Sequence, residues 1–564
     1  MKKIGTGKKL LMAALILALL LSVGGQAFAE DAAAEKNGDI IILYTSDIHC
    51  GVDEGFGLAG VAQIRQELED QGYTTILVDN GDTVQGEPIG TLSKGETIID
   101  LLNDMNYDVV TVGNHDFDYG LDQFFALVEE ANFPYICCNF FKEGEQVFPS
   151  YKLIEAAGKT IGFVGVTTPT AITESTPKYF QDEDGNFIYS FLQEDDTGEA
   201  VYEAVQKAVD EARAAGADFV YILGHLGLNE SCSPWTYADV ISNTNGIDVF
   251  LDGHSHDTEQ ITMKNKDGED VLRSAVGTKL NCIGCSIISA DGTITDTKIW
   301  SWPNEDALPP LVGIENAMRD EVQAATEKLE DQLNEVVATT PYELTIYDPK
   351  AVDDSGNRIR MVRRAETNLG DLCADAYRDQ TGAEIAVVNG GAIRVSIEKG
   401  DITYGDILSV HPFGNYLCVV EATGQQILDA LEWGAQSVPD ENGGFLQVSG
   451  LSYEVHSSIE NSFETDENGM CTSIGDNRRV QNVKVGDEAL DPEKTYTVAS
   501  IDYVLLNNGN GQTAFDGAKL VQDQVKLDNQ VLINYITDTL DGEVSDDYAN
   551  LAGAGRIVIV EKES

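Results

Sequence analysis

Five apolar runs in the first half of the chain stop abruptly at turns that carry metal-capable side chains. Ile40–Tyr44 leads into Asp47-Ile48-His49, and Thr75–Val78 leads into Gly81-Asp82. Val109–Val112 leads into Gly113-Asn114-His115-Asp116-Phe117-Asp118. Phe219–Leu223 is followed by Gly224-His225, and Val249–Leu251 by Gly253-His254-Ser255-His256. Short continuous apolar runs of this kind are the pattern of strands buried on both faces. Helical spacing occupies the intervals at Leu58–Asp70, Glu96–Met105, Leu121–Ala131 and Ala200–Ala215. Alternation of this kind predicts an α/β fold. The carboxyl ends of strands in such a fold share one rim, so the five turns are expected to converge there.

The histidines sharpen this. The chain has seven, and five of them (His49, His115, His225, His254, His256) sit in turns that follow these runs. Any one alone reads as a surface or satisfied core histidine; five sorted this way read as one site. The donors are nitrogen and oxygen with no thiolate, which suits Zn, Mn or Fe rather than Ca or Mg. Imidazoles and carboxylates together suit a two-ion hydrolase. Asp82, alone on its turn beside Gly81, is the carboxylate placed to bridge.

The N-terminus reads as a secretory signal over residues 1–29. Lys2, Lys3, Lys8 and Lys9 precede the apolar run Leu10–Val23, and Ala27-Phe28-Ala29 is a small-residue cleavage site before Glu30. The apolar run is short for a span, which needs about 20 residues, and no cysteine follows it for lipid attachment. No membrane anchor is expected, and the mature protein is expected to be extracellular or periplasmic. Loss of four lysines leaves 32 basic residues against 95 acidic ones, a net charge of −63. That excludes a nucleic-acid polymer as partner. An anionic substrate would be repelled by this field, so local cations must attract it. Nine cysteines lie in the mature chain, an odd number with one C-x-x-C pair, Cys282 and Cys285. A zinc ribbon needs a second pair, so buried thiols are expected.

The organisation predicted is a first domain over 38–305, a linker over 306–338 and a second domain over 339–562. Leu308-Pro309-Pro310 breaks the chain, and Ile314, Met318, Val322, Ala325, Leu329, Leu333 and Val336 then recur at helical spacing. The second domain reads as mixed α/β. It carries Arg363-Arg364-Ala-Glu-Thr-Asn368, Asn389-Gly-Gly-Ala-Ile-Arg394 and His411-Pro412-Phe413-Gly414-Asn415. A single loop arginine is usually a surface ion pair. Two beside Gly-rich turns and an aromatic read as an anion grip through guanidinium forks.

The ordered set Asp47-x-His49, Gly81-Asp82, Gly113-Asn114-His115-Asp116, Gly224-His225 and Gly253-His254-x-His256 resembles the calcineurin-like metallophosphoesterase signature. With the second-domain blocks, the chain resembles the 5′-nucleotidase family over about 40–560. The resemblance implies a four-layer α/β/β/α metallophosphoesterase domain and a mixed α/β substrate-binding domain joined by a long helix. It implies two divalent ions, Zn, Mn or similar. One would be held by Asp47, His49, Asp82 and His256, the other by Asp82, Asn114, His225 and His254. His115 and Asp118 would be a catalytic dyad, with Asp116 a cap or loop hydrogen-bond acceptor. Arg363, Arg394 and Asn389 would contact a nucleotide, and Phe413 and Tyr503 would stack on its base. Asn510 stands where the family has Asp in the ribose-binding loop, and an amide accepts fewer hydroxyl bonds than a carboxylate. The activity implied is hydrolysis of nucleoside 5′-monophosphates, with UDP-sugars as further substrates. The alternatives are a 2′,3′-cyclic-nucleotide phosphodiesterase/3′-nucleotidase and a non-catalytic nucleotide-capturing protein.

Overall fold

The computed structural model describes residues 38–182, 184–195, 197–229, 232–301, 314–352 and 358–560. The signal sequence expected over 1–29, the Leu308-Pro309-Pro310 break and the start of the linker lie outside the described residues.

Two sheets stack in the first half. One has the order β11–β10–β1–β2–β3, formed by β1 (Ile40–Thr45), β2 (Thr74–Asp79), β3 (Val109–Val110), β10 (Cys282–Ile288) and β11 (Ile294–Ser301). β1, β2 and β3 run parallel, with Ile40 opposite Thr74 and Thr45 opposite Asp79. The other has the order β8–β9–β7–β6–β5–β4. Its strands are β4 (Tyr151–Ala156), β5 (Lys159–Thr167), β6 (Phe219–His225), β7 (Val249–Asp252), β8 (Thr258–Lys264) and β9 (Asp270–Val276). β5, β6, β7 and β9 are parallel.

Alternation within each strand sorts three apolar layers. Ile40, Ile42 and Tyr44 meet Phe163, Tyr221 and Leu223 between the sheets. Ile41, Leu43 and Leu77 face outward onto α1 (Gly57–Asp70), α2 (Glu96–Met105) and α3 (Leu121–Glu130). Val164, Val220 and Ile222 face the other way, onto α4 (Glu199–Ala214) and α5 (Tyr237–Asn243). The result is the four-layer α/β/β/α arrangement. At the sheet interface Tyr44 lies over Gly284, where an added Cβ would fall 1.8 Å from the Tyr44 ring.

The linker helix α6 spans Ala317–Leu333, capped by the Asn316 side chain, which accepts from Arg319 N at 2.9 Å. It is not a free spacer. Met318 and Val322 are buried in the same layer as α1 and α2, and Asn316 Nδ2 donates to Ala59 O. The apolar period was expected to reach Val336, but that residue instead opens a short strand paired to Thr403.

The second domain packs a five-stranded sheet against helices. Its order is β14–β12–β15–β13–β16, from β12 (Ile385–Asn389), β13 (Leu417–Thr423), β14 (Leu446–Ser449), β15 (Thr495–Ile501) and β16 (Lys519–Gln522). α7 (Asn368–Thr381) covers one part of its core and α8 (Gly424–Gly434) another. The domains touch through Thr91 Oγ1 donating to Pro412 O at 2.8 Å, Gln193 Nε2 donating to Asn468 Oδ1 at 2.8 Å, and Tyr503.

Candidate metal centre

The carboxyl ends of β1, β2 and β3 and those of β6 and β7 open onto one rim shared by both sheets. There the structure brings together all seven residues expected as ligands. Asp47, His49 and His256 form one group and Asp82, His225 and His254 a second; within each, the potential donor atoms lie within 4.8 Å of one another. Asp82 Oδ2 lies 3.2 Å from His225 Nε2 and 3.7 Å from His49 Nε2, so this carboxylate stands between the groups. Asn114 Oδ1 is 2.9 Å from His254 Nδ1.

The local backbone is unusual. Asp47, His49, Asp82, His254 and His256 all have φ between 45° and 76°. Left-handed conformations are uncommon outside glycine and cluster at functional sites. Glycines keep the turns tight: a Cβ on Gly113 would lie 2.1 Å from Asp82 Oδ1, and one on Gly253 would lie 2.7 Å from Asp47 Oδ2.

Hydrogen bonds aim the rings. His49 Nδ1 donates to Gln85 O at 2.9 Å and His225 Nδ1 donates to Asn80 O at 2.8 Å. Each Nε2 is therefore the nitrogen turned toward the centre, the usual outer-partner arrangement of a ligating histidine. His225 Nε2 is buried without a hydrogen-bond partner among the described residues. His49 Nε2 and His256 Nε2 face each other at 3.0 Å. Burial pushes His49 down to about 3, and burial with the neighbouring His49 pushes His256 well below its ordinary value. Two neutral imidazoles at this distance share one N–H or, with both Nε2 lone pairs turned inward, hold a cation. Burial raises Asp47 to about 8. It would raise Asp82 too, but the facing His225, His115 and His49 outweigh it and hold that carboxyl well below its ordinary value. The donor set fits two borderline divalent cations.

Asp116 is a clamp and not a donor to this centre. Its Oδ2 accepts from Gly113 N at 2.8 Å and Asp82 N at 3.2 Å, and its Oδ1 from Thr83 N at 3.0 Å. It ties the third turn to the second. His115 Nδ1 lies 2.6 Å from Asp118 Oδ2, with the His115 ring lining the cleft. Burial would lower His115, but Asp118 and Asp82 outweigh it and raise its pKa.

Across the cleft, Arg363, Asn389, Arg394, Phe413, Tyr503 and Asn510 all line the same cavity as His115 and His254. Asn389 ends β12 and Tyr503 follows β15, so this domain also offers strand ends to the cleft. Arg363 and Arg394 have no carboxylate within 4 Å among the described residues. Burial and the adjacent Arg360 lower Arg394 to about 10, and burial with Arg360 and Arg394 lowers Arg363 well below the guanidinium range. Asn389 Nδ2 donates to Gly443 O at 3.3 Å, while its Oδ1 is buried and unpartnered among the described residues. Phe413 packs on His115, ring centroids 6.0 Å apart and planes at 29°, with Arg394 over its ring at 5.6 Å. The Tyr503 hydroxyl is already engaged, accepting from Asn510 N at 3.0 Å.

Three contributors are absent from the sequence-based reading. Arg360 lines the cavity and pairs with Glu441 at 2.8 Å; it lies three residues before Arg363, a spacing that marks it. Glu174 lines the cavity from a turn with no motif. Arg273 is fully buried and grips Asp252 at 2.7 Å and Asp257 at 2.9 Å. Those two aspartates bracket the Gly253–His256 turn, so one guanidinium closes the loop that carries two histidines.

Comparison with known proteins agrees with this arrangement. The calcineurin-like phosphoesterase family model matches residues 40–258, and the 5′-nucleotidase C-terminal domain model matches 336–517. The chain is 26% identical over 578 residues to protein UshA of Escherichia coli, covering 95% of this chain and 98% of the relative. It is 28% identical over 543 residues to the trifunctional nucleotide phosphoesterase protein YfkN of Bacillus subtilis, and spans 33% of that longer protein. The crystal structure of a 5′-nucleotidase precursor from Thermus thermophilus superposes with a TM-score of 0.74 at 26% identity, covering 93% of this chain and 100% of that one. A calcineurin-like phosphoesterase domain followed by a 5′-nucleotidase C-terminal domain, together with the match to UshA along nearly the whole chain, places this chain in the 5′-nucleotidase family of metallophosphoesterases.

Proposed function

We propose that this protein is an exported, metal-dependent nucleotidase that hydrolyses nucleoside 5′-monophosphates to nucleoside and phosphate. The single observation that carries the reading is the cleft itself. A two-group donor set and a histidine–aspartate pair face unpaired arginines and an aromatic from the other domain. Divalent ions at the two groups supply Lewis acidity and a nucleophile from water at neutral pH. Asp47, His49, Asp82 and His256 hold one, and Asp82, Asn114, His225 and His254 the other. Arg363 and Arg394 bind the phosphate with charge that the surface lacks. His115, kept protonated by Asp118, places a positive donor where charge develops on the phosphoryl and leaving oxygens. Asn389 orients the nucleoside, and Phe413 and Tyr503 hold the base by their faces.

A second reading is favoured by Asn510, whose amide replaces a ribose-gripping carboxylate. It is a cyclic or 3′-nucleotide phosphoesterase on the same centre. A panel of AMP, 3′-AMP, 2′,3′-cyclic AMP and UDP-glucose separates the two, and activity confined to cyclic or 3′ substrates overturns the first. His115→Asn should lower kcat on AMP by roughly 10²–10⁴-fold at unchanged metal content; an unchanged rate removes the dyad from the mechanism. Export rests on the basic and apolar N-terminus and is tested by sequencing the exported protein, which should begin at Glu30. Among the described residues no helix is long and apolar enough to cross a membrane.

A further inference from the structure

His254 is held differently from the other inward-facing histidines. His49 and His225 each donate to a backbone carbonyl within their own domain. His254 turns Nδ1 toward Asn114 and leaves Nε2 pointing away from the donor groups, at two side chains. Glu174 Oε2 lies 3.6 Å from it and Cys232 Sγ 3.5 Å. The Cys232 contact is within hydrogen-bond reach of sulfur, and the Glu174 contact is an ion-pair approach just beyond hydrogen-bond distance. A carboxylate is the far stronger acceptor, so Glu174 is the side chain whose charge orients the ring.

The turn bearing Glu174 reaches three ways. It is four residues, Ala171–Glu174. The Tyr503 hydroxyl donates to Thr173 O and Glu174 O, at 3.3 Å each. The next residue, Ser175, is buried and its hydroxyl donates to Asp118 Oδ1 at 3.4 Å. One short segment therefore contacts a metal-facing histidine, the carboxylate of the dyad and an aromatic of the other domain. Among the described residues no other segment joins these three.

We propose that Glu174 is a positioning residue for the His254 imidazole, and that Tyr503 sets its turn from the second domain. The proposal rests on His254 being an ion ligand. When the second domain docks, the Tyr503 hydroxyl fixes the Thr173 and Glu174 carbonyls. The Glu174 carboxylate then sits within ion-pair reach of Nε2–H, 3.6 Å away, and Nδ1 is aimed at the ion that Asn114 and His225 would share. Substrate stacking on the Tyr503 ring is thereby coupled to the geometry of one ion and not of the other.

The test is equilibrium dialysis of metal-free full-length protein against Zn²⁺ or Mn²⁺, with bound metal counted per chain and a thermal melt to confirm folding. Wild type should bind two ions; fewer would overturn the dinuclear reading itself, before any variant is considered. Glu174→Ala should weaken one ion by about 10–100-fold, the range seen for such outer partners, and leave the other unchanged. Glu174→Gln, whose amide oxygen still accepts Nε2–H, should restore binding to within a few-fold. Tyr503→Phe keeps the ring and should weaken the same ion alone. Both ions at wild-type affinity in Glu174→Ala overturns the role of Glu174. A loss in Cys232→Ala as large as in Glu174→Ala assigns the ring to the thiol and overturns it too. Wild-type binding in Tyr503→Phe overturns the link between domains.

Discussion

At the scale of single residues, environment and not type decides what each histidine does. His411 is buried with Nδ1 donating to Ala392 O at 2.9 Å and Nε2 unpartnered among the described residues. Burial lowers it to about 4. Between about pH 6.5 and 4 the unfolded chain binds a proton there that the folded chain refuses. Stability therefore falls as pH drops through that window, by up to about 3 kcal/mol. Below it both states are protonated and the loss levels off. Urea unfolding of His411→Gln at pH 7 and pH 4.5 should show a shallower acid loss than wild type. His411 is one of the two histidines outside the five strand-end turns, and its sequence context distinguishes it from them without revealing its burial. The clustering of these side chains was legible because five apolar runs each ended in a turn carrying His or Asp, and strand ends share one rim. Glu174 was not, since its partner His254 lies 80 positions on and no local pattern announces the meeting.

At the scale of elements, the strands were legible where burial on both faces wrote a continuous apolar run. An apolar stretch does not make a strand where one segment serves two sheets. Tyr135–Cys138 reads as a strand, yet Ile136 N donates to Val110 O in the first sheet and Cys138 N to Gly165 O in the second. The segment crosses between layers and completes a ladder in neither. α6 shows the converse. Its heptad-like spacing was read correctly as a helix, but the surface it covers, α1 and α2, is a property of the folded domain. The Gly253–His256 turn is the element most dependent on a remote residue. Arg273→Leu would leave Asp252 buried and unpaired, a loss of about 3–5 kcal/mol by analogy with broken buried pairs. Chemical denaturation should register that loss, and metal analysis of the folded fraction should show depletion of the ions bound by His254 and His256. Gly113→Ala should lose both stability and activity, because its methyl group would fall 2.1 Å from Asp82 Oδ1 and 2.5 Å from Asp82 N; a thermal melt and an AMP assay should both register the loss.

At the scale of the molecule, a chain of extreme negative charge surrounds a cleft in which Arg363 and Arg394 have no carboxylate partner among the described residues. Surface charges are screened within about 10 Å at 0.1 M salt, buried ones much less. Raising ionic strength should therefore weaken the long-range repulsion of a nucleotide more than its capture by Arg363 and Arg394. Steady-state kcat/KM for AMP should rise between about 10 and 100 mM salt; a monotonic fall would mean that the exposed field is already locally positive. Ion binding should also stabilise the fold, by about 2.7 kcal/mol for each site at a hundredfold excess over Kd. A higher Tm for the loaded protein, scaling with metal concentration, is the expected calorimetric result. The two-domain division was legible from composition and motif order. The seating of Phe413 against His115 was not, because it depends on how two independently folded surfaces meet.

Five of the seven residues proposed as ion ligands occupy left-handed backbone, and that shape acts as a filter on side-chain identity. Asn, Asp and His enter that region several-fold more readily than other non-glycine residues, and β-branched residues scarcely at all. The rim thus admits the carboxylates, amides and imidazoles that suit borderline cations before any cation arrives. The same backbone tolerates a cysteine, for Cys50 beside His49 has φ 60°, so exchange of residues on the existing turns could soften the donor set without rebuilding them.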